Sequence, residues 1–210
     1  MKLLLENWRA YLNEGEASQV LAHLVGQAGS GKTYFIDNTL LKKYPKIIAK
    51  DLDDFDDAAD KALNLDGKTW RQSGDPNQID QKIARKHFDT VQKMVNQFLS
   101  TNQDKKIFLA GMSVFPWVQG NNELDLGNPM FKFYLDIDPE VSAKRRIKRD
   151  VDKGLYKGKK PTDEEFQNEL KWASEEKDEL LSAGYKATTP EEIVKSIDSV
   201  MEGGPDETPT

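Results

Sequence analysis

The sequence predicts an α/β fold in which a parallel sheet carries helices on both faces. Three observations carry that prediction. Short apolar runs alternate with amphipathic stretches, a glycine-rich loop joins the first run to the first helix, and no internal repeat interrupts the alternation. The first run, Val20-Leu-Ala-His-Leu-Val25, ends in glycine and suits a buried strand. Residues 33–43 then place Phe35, Ile36, Leu40 and Leu41 at helical spacing, and Tyr44-Pro45 stops that helix. Lys46-Ile-Ile-Ala-Lys50 reads as a second strand, followed by the acidic run Asp51 to Asp57. A long helix is expected over 76–99, opened by Asp75-Pro76 and carrying Ile79, Ile83, Phe88, Val91 and Val95.

Lys106 to Gly111 and Phe131 to Asp136 read as the third and fourth strands, separated by an aperiodic loop over 111–128. Pro139 opens a helix rich in Lys and Arg. Thr162 with Glu165 forms a capping-box pattern at the head of a charged helix reaching about 181. Tyr185 to Thr188 supplies a last strand and Pro190 to Met201 a last amphipathic helix. Outside this domain, 18–202, the reading places an amphipathic N-terminal helix over 1–17 and a disordered tail over 203–210. The N-terminal helix carries Leu4, Trp8, Tyr11 and Leu12 on one face.

Composition removes several function classes. The chain has no cysteine and two histidines, which excludes disulfides, thiolate nucleophiles and a multi-histidine metal site. A net charge of −6 disfavours a protein that coats nucleic acid. No apolar run approaches the roughly 20 residues needed to cross a bilayer, and the N-terminus does not read as a signal peptide, so a cytoplasmic protein is expected.

Gly26-Gln27-Ala28-Gly29-Ser30-Gly31-Lys32-Thr33 matches the phosphate-loop pattern G-x-x-x-x-G-K-[ST] in full, between a predicted strand and a predicted helix. Glycines at these positions let successive N–H groups turn toward one phosphate, and the helix that follows presents its positive end to it. Lys32 would place a point charge on the β- and γ-phosphates of ATP, and the Thr33 hydroxyl would ligate Mg²⁺. The competing reading is a chance glycine-rich turn. The loop alone separates neither kinase from GTPase nor motor from switch.

The aspartates after the second strand offer Mg²⁺ or acceptor chemistry. Asp51 and Asp53 would hold the metal through water, or Asp53 would take a proton from an acceptor hydroxyl. The plainer reading makes Asp53 or Asp54 the cap of a helix beginning near Phe55. The third strand ends in glycine and so lacks a Walker-B aspartate, which favours function for Asp51 and Asp53. In the basic helix, Arg145, Arg146 and Arg149 lie three and four residues apart and can converge on a transferring phosphoryl group. The alternative is an ordinary solvated helix. A Gly- and Lys-rich stretch within about 149–162 is the candidate lid. Arg71 is a candidate acceptor-binding cation or, equally, a surface arginine packed on Trp70.

Taken together, the phosphate loop, the aspartates after the second strand and Tyr134-Leu-Asp-Ile-Asp-Pro-Glu140 with Arg145 and Arg146 resemble the small P-loop kinases of nucleotides and metabolites. That group includes adenylate, thymidylate, shikimate and gluconate kinases. The resemblance implies a three-layer sandwich around a five-stranded parallel sheet of order 2-3-1-4-5, with a lid that contributes arginines. Asp51-Leu-Asp53 with a glycine after the third strand is similar to the shikimate and gluconate kinase arrangement, which implies that Asp53 lies near an acceptor hydroxyl. The chain departs from that arrangement with Ala110-Gly111-Met112 in place of a glycine run, and with Lys159-Lys160 where a lid arginine would stand beside Pro161. The expectation is therefore an Mg²⁺-ATP-dependent kinase of a small acceptor. A nucleotide-binding switch or NTPase module and a polynucleotide-end kinase are the alternatives.

Overall fold

The computed structural model describes residues 20–65, 79–152, 154 and 162–201. The expected N-terminal helix, Arg71, most of the candidate lid and the tail lie outside the described residues.

Five strands form one sheet: β1 (Val20–Val25), β2 (Ile48–Asp51), β3 (Ile107–Ala110), β4 (Phe131–Leu135) and β5 (Lys186–Thr188). Their order is β2-β3-β1-β4-β5. This is the parallel, kinase-type topology of P-loop nucleoside triphosphatases, in a three-layer α/β sandwich. Ile48 stands opposite Ile107 and Asp51 opposite Ala110; Phe133 stands opposite Lys186 and Leu135 opposite Thr188. Every residue of β1 and β3 is buried. That explains why these strands are written as continuous apolar runs rather than alternating ones.

Among the described residues, helices follow every strand except β3. After β1, α1 (Lys32–Phe35) runs through a π-helical segment (Ile36–Leu40) into α2 (Leu41–Lys43). The others are α3 (Leu52–Ala62), α4 (Gln81–Thr101), α5 (Pro139–Asp152), α6 (Asp163–Ser182) and α7 (Pro190–Met201). None of the described helices is long and apolar enough to cross a membrane.

The chain divides into two compact units, Met1–His23 with Lys46–Phe131 and Leu24–Pro45 with Lys132–Thr210. In the first, α3 and α4 bury Leu52, Phe55, Ala59, Ala84, Phe88, Val91 and Val95 with Ile107, Leu109 and Phe115. Phe88 meets Phe115 edge-to-face, with ring centroids 5.6 Å apart. Gln81, Arg85 and Gln92 of α4 hold the loop over 111–128. Gln81 Nε2 donates to Trp117 O, Arg85 Nη1 to Asn121 O, and Gln92 Nε2 to Asp125 O. One antiparallel bridge, Val114 with Glu123, crosses that loop. In the second unit, Val25, Tyr134 and Tyr185 pack with Leu180 and Ala187.

Two helix starts differ from the sequence reading. α4 opens at Gln81, where Asp80 has extended backbone and its carboxylate accepts from the N–H groups of Lys82 and Ile83; residues 76–78 of the expected helix lie outside the described residues. Its buried stripe begins at Ala84, and Ile83 is exposed. α3 opens at Leu52 with Asp51 as its cap, the Asp51 carboxylate accepting from Asp53 N at 3.0 Å. Neither Asp53 nor Asp54 plays that part. The Thr162–Glu165 capping box forms as expected.

Phe88→Ala should cost about 3 to 5 kcal/mol of folding free energy, because the ring is enclosed by the α3–α4 core and the Phe115 edge contact. Denaturant titration checks this, and a loss below about 1 kcal/mol contradicts the packing described.

Candidate functional site

The loop between β1 and α1 supplies one end of the site. Gly29 and Gly31 have φ of 89° and 93°, in the left-handed region, and Gly31 caps α1. The backbone closes on itself where Ser30 N donates to Gln27 O at 3.0 Å. Lys32 Nζ donates to Gly26 O at 2.6 Å and to Gln27 O at 3.3 Å, so its ammonium lies across the loop rather than out in solvent. Ser30 Oγ is buried and has no hydrogen-bond partner among the described residues. A buried hydroxyl with no acceptor is costly, and a phosphate oxygen at the loop would satisfy it.

Helix α5 supplies the other side. A Cβ placed on Gly29 would lie 2.9 Å from Ser142 O, 3.2 Å from Arg145 Cβ and 3.2 Å from Arg146 N, so only glycine fits beneath the helix. Ser142 Oγ donates to Ala28 O at 3.0 Å and pins the same contact. α5 itself starts where the Asp138 carboxylate accepts from Glu140 N and Val141 N. Through this packing Arg145 reaches the loop, with Nη1 3.9 Å from the position a Gly31 Cβ would take.

The other two arginines point elsewhere. Arg146 Nη1 lies 2.7 Å from Glu169 Oε2 on α6, and its guanidinium sits over the Trp172 ring, 5.9 Å from the centroid. Arg149 Nε donates to Asp150 Oδ1 at 3.2 Å. The three cations expected to converge thus do not share one target: Arg145 faces the loop, Arg146 faces α6, and Asp150 lies near both Arg146 and Arg149.

Carboxylates of α6 enter the same region. Burial pushes the Glu176 carboxyl above the ordinary glutamate value, against the opposing influence of Lys32 and Arg146. Burial also pushes the Tyr134 hydroxyl up to about 12, with Glu176 adding to the rise and a hydrogen bond with Gln27 opposing it. Next along α6, Lys177 Nζ donates to both Asp136 oxygens at 2.8 and 2.9 Å, fixing the helix to the end of β4. Sequence reasoning passed over Ser142, Glu169, Trp172 and Glu176. The seven-residue interval from Glu169 to Glu176 puts both on one helical face and was the available signal, lost among the many other charges of α6.

The aspartates belong to the first unit. Asp51 Oδ1 would lie 2.8 Å from a Cβ on Gly111, whose φ is 104°. The fully buried His23 places Nε2 2.8 Å from Gly111 O, so the imidazole N–H donates to that carbonyl. The glycine in place of a Walker-B aspartate is therefore the point where β1, β3 and the start of α3 come close together. Asp53 is exposed in the first turn of α3. The second histidine, His87, is also fully buried, with Nε2 3.1 Å from Asp60 Oδ1, and serves packing between α3 and α4. No group of three or more His, Asp or Glu among the described residues is arranged to hold a metal ion. Mg²⁺ that arrives on nucleotide phosphates is in general held by one or two carboxylates, phosphate oxygens and water rather than by an all-protein cage.

Gly29→Ala should destabilise the chain more than Gly154→Ala. Both glycines have positive φ, so each substitution costs about 1 to 2 kcal/mol for the left-handed backbone. Only Gly29 adds a clash with the α5 backbone, while Gly154 has nothing within 4 Å. Equal losses in thermal unfolding would contradict the close approach. Glu176 gives a pH-dependent expectation. The folded chain holds this proton more tightly than the unfolded chain, so the parent loses stability as pH rises from the ordinary glutamate value through the raised one. Glu176→Gln carries no charge to desolvate, and its Tm relative to the parent should climb as pH rises above the ordinary glutamate value. A difference that is flat or falls with pH contradicts the burial.

No protein-family model matches this sequence, and no curated protein matches it.

Proposed function

We propose that the chain is an Mg²⁺-ATP-dependent kinase that transfers the γ-phosphoryl group to a small acceptor. The observation that carries the reading is the pairing of Lys32 and Arg145 on one glycine loop, with a helix backbone packed too closely for any other residue at Gly29. The sheet order is the kinase type among phosphate-loop folds, which supports the same reading.

In this reading the loop amides of 26–33 and the orphaned Ser30 hydroxyl hold the phosphates, and Lys32 turns from the Gly26 carbonyl to the β- and γ-oxygens. The Thr33 hydroxyl would ligate Mg²⁺ carried in on the phosphates. When bound there, the metal would supply positive charge to the phosphate oxygens. Arg145 stabilises the charge that spreads over the equatorial oxygens during transfer. The acceptor oxygen bonds to the γ-phosphorus as the β–γ bridging oxygen leaves with ADP. A hydroxyl acceptor must give up its proton to a base, the role for which the sequence offers Asp53, and no base is required when the acceptor is a phosphate.

ADP release should rise with one acceptor from a panel of nucleoside monophosphates, nucleosides and sugar acids. Lys32→Ala and Arg145→Ala should each lower that rate on the order of 10²- to 10³-fold. Asp53→Asn separates acceptor classes: a hydroxyl kinase loses comparable activity, and a nucleoside monophosphate kinase retains most of it. Tight ATP binding with no acceptor-dependent ADP release would replace the kinase reading with a nucleotide-binding switch.

A further inference from the structure

Arg145 and Arg146 are adjacent in sequence and therefore about 100° apart around α5, so they face different neighbours. Arg145 reaches the glycine loop. Arg146 is held on α6 from two sides, by Glu169 at 2.7 Å and by the face of Trp172. Glu169, Trp172 and Glu176 fall at i, i+3 and i+7, one stripe along the helix. Asp150 Oδ2, 3.9 Å from Arg146 Nε, closes the bracket from α5 itself. A planar guanidinium suits this arrangement, donating along its edge to a carboxylate while stacking its face on an indole. The side chain of Arg146 is 31% exposed and that of Glu169 23%, so the pair is partly shielded from water.

We propose that Arg146 is a positioning residue rather than a phosphate ligand: with Glu169 and Trp172 it brackets α5 to α6, and the bracket aims Arg145 at the phosphate loop. The bracket ties together the two helices that flank residues 153–161. Any swing of α6 is passed to α5, whose backbone rests on Gly29. The sequence pattern treats the two arginines as equivalent; the geometry gives them different work. The proposal rests on the reading of the loop as a phosphate site, and it adds Glu169 and Trp172 to the residues on which that site depends.

A charge swap within a double-mutant cycle tests it, read in the kcat and KM of the full chain with ATP and in equilibrium binding of a fluorescent ATP analogue. Arg146→Ala and Glu169→Gln should each cost about threefold to tenfold in kcat/KM, and together no more than Arg146→Ala alone. Arg145→Ala should cost far more. The double variant Arg146→Glu with Glu169→Arg should regain most of what Arg146→Glu loses, since a bracket needs a pair and not a particular order of charges. A swap as inactive as Arg146→Glu alone, or an Arg146→Ala loss equal to that of Arg145→Ala, overturns the proposal and makes Arg146 a direct phosphate ligand. A second readout needs no nucleotide. The emission of Trp172, taken as the difference from Trp172→Phe, should change in both Arg146→Ala and Glu169→Gln, and unchanged emission overturns the bracket. Failure of the parent chain to bind nucleotide removes the phosphate-site reading itself. Unchanged Trp172 emission with nucleotide bound removes only the bracket.

Discussion

The packing of α5 against the glycine loop is the constraint on which the candidate site depends. At Gly29 the helix backbone comes so near that a single methyl group would meet Ser142 O at 2.9 Å, and Ser142 Oγ reaches back to Ala28 O. Loop and helix are thereby one rigid corner. The dihedral angles that only glycine adopts readily at 29 and 31 turn the corner, and the helix that covers it delivers Arg145. A cation on a long side chain is a poor positioning device by itself, because it loses rotamer entropy when fixed. Here the backbone contact places its Cα, so only the side-chain torsions remain to be ordered.

Charge distribution follows from the same corner. The chain is acidic overall, yet Lys32, Arg145 and Arg146 gather in one region of one unit. Glu169 and Glu176 answer them from α6, and the cost of desolvating Glu176 appears as its raised pKa. A concentration of cations without such carboxylates would repel itself and loosen the corner. Local charge balance at the site, rather than net charge, is what a multiply charged phosphate would read.

Much of the frame was legible in the sequence because it rests on local physics. Strands buried on both faces must be continuous apolar runs, which exposed β1 and β3; Thr162 with Glu165 announced its own capping box; and the glycine spacing of 26–33 announced the loop. The helix starts at Asp51 and Asp80 were misplaced by a few residues. Each region offers several residues able to cap, and the choice is made by which carboxylate meets the free N–H groups. The separate fates of Arg145, Arg146 and Arg149 were not legible at all. Spacing along one helix says which residues are neighbours, whereas their partners lie on the glycine loop, on α6 and at Asp150. Gly111 gave half its meaning: its lack of a carboxylate was plain, but the contacts of His23 and Asp51 with it depend on tertiary structure.

The most direct test of the central claim, that the Gly29–α5 contact builds a nucleoside triphosphate site, is the equilibrium affinity of Gly29→Ala for Mg²⁺-ATP. It should be measured by calorimetry at a temperature where circular dichroism shows the variant folded. The account predicts that binding weakens on the order of 100-fold or more while the helical and strand content stays that of the parent. An affinity equal to the parent's would contradict it, because a loop that tolerates a methyl group at that position does not owe its phosphate site to α5.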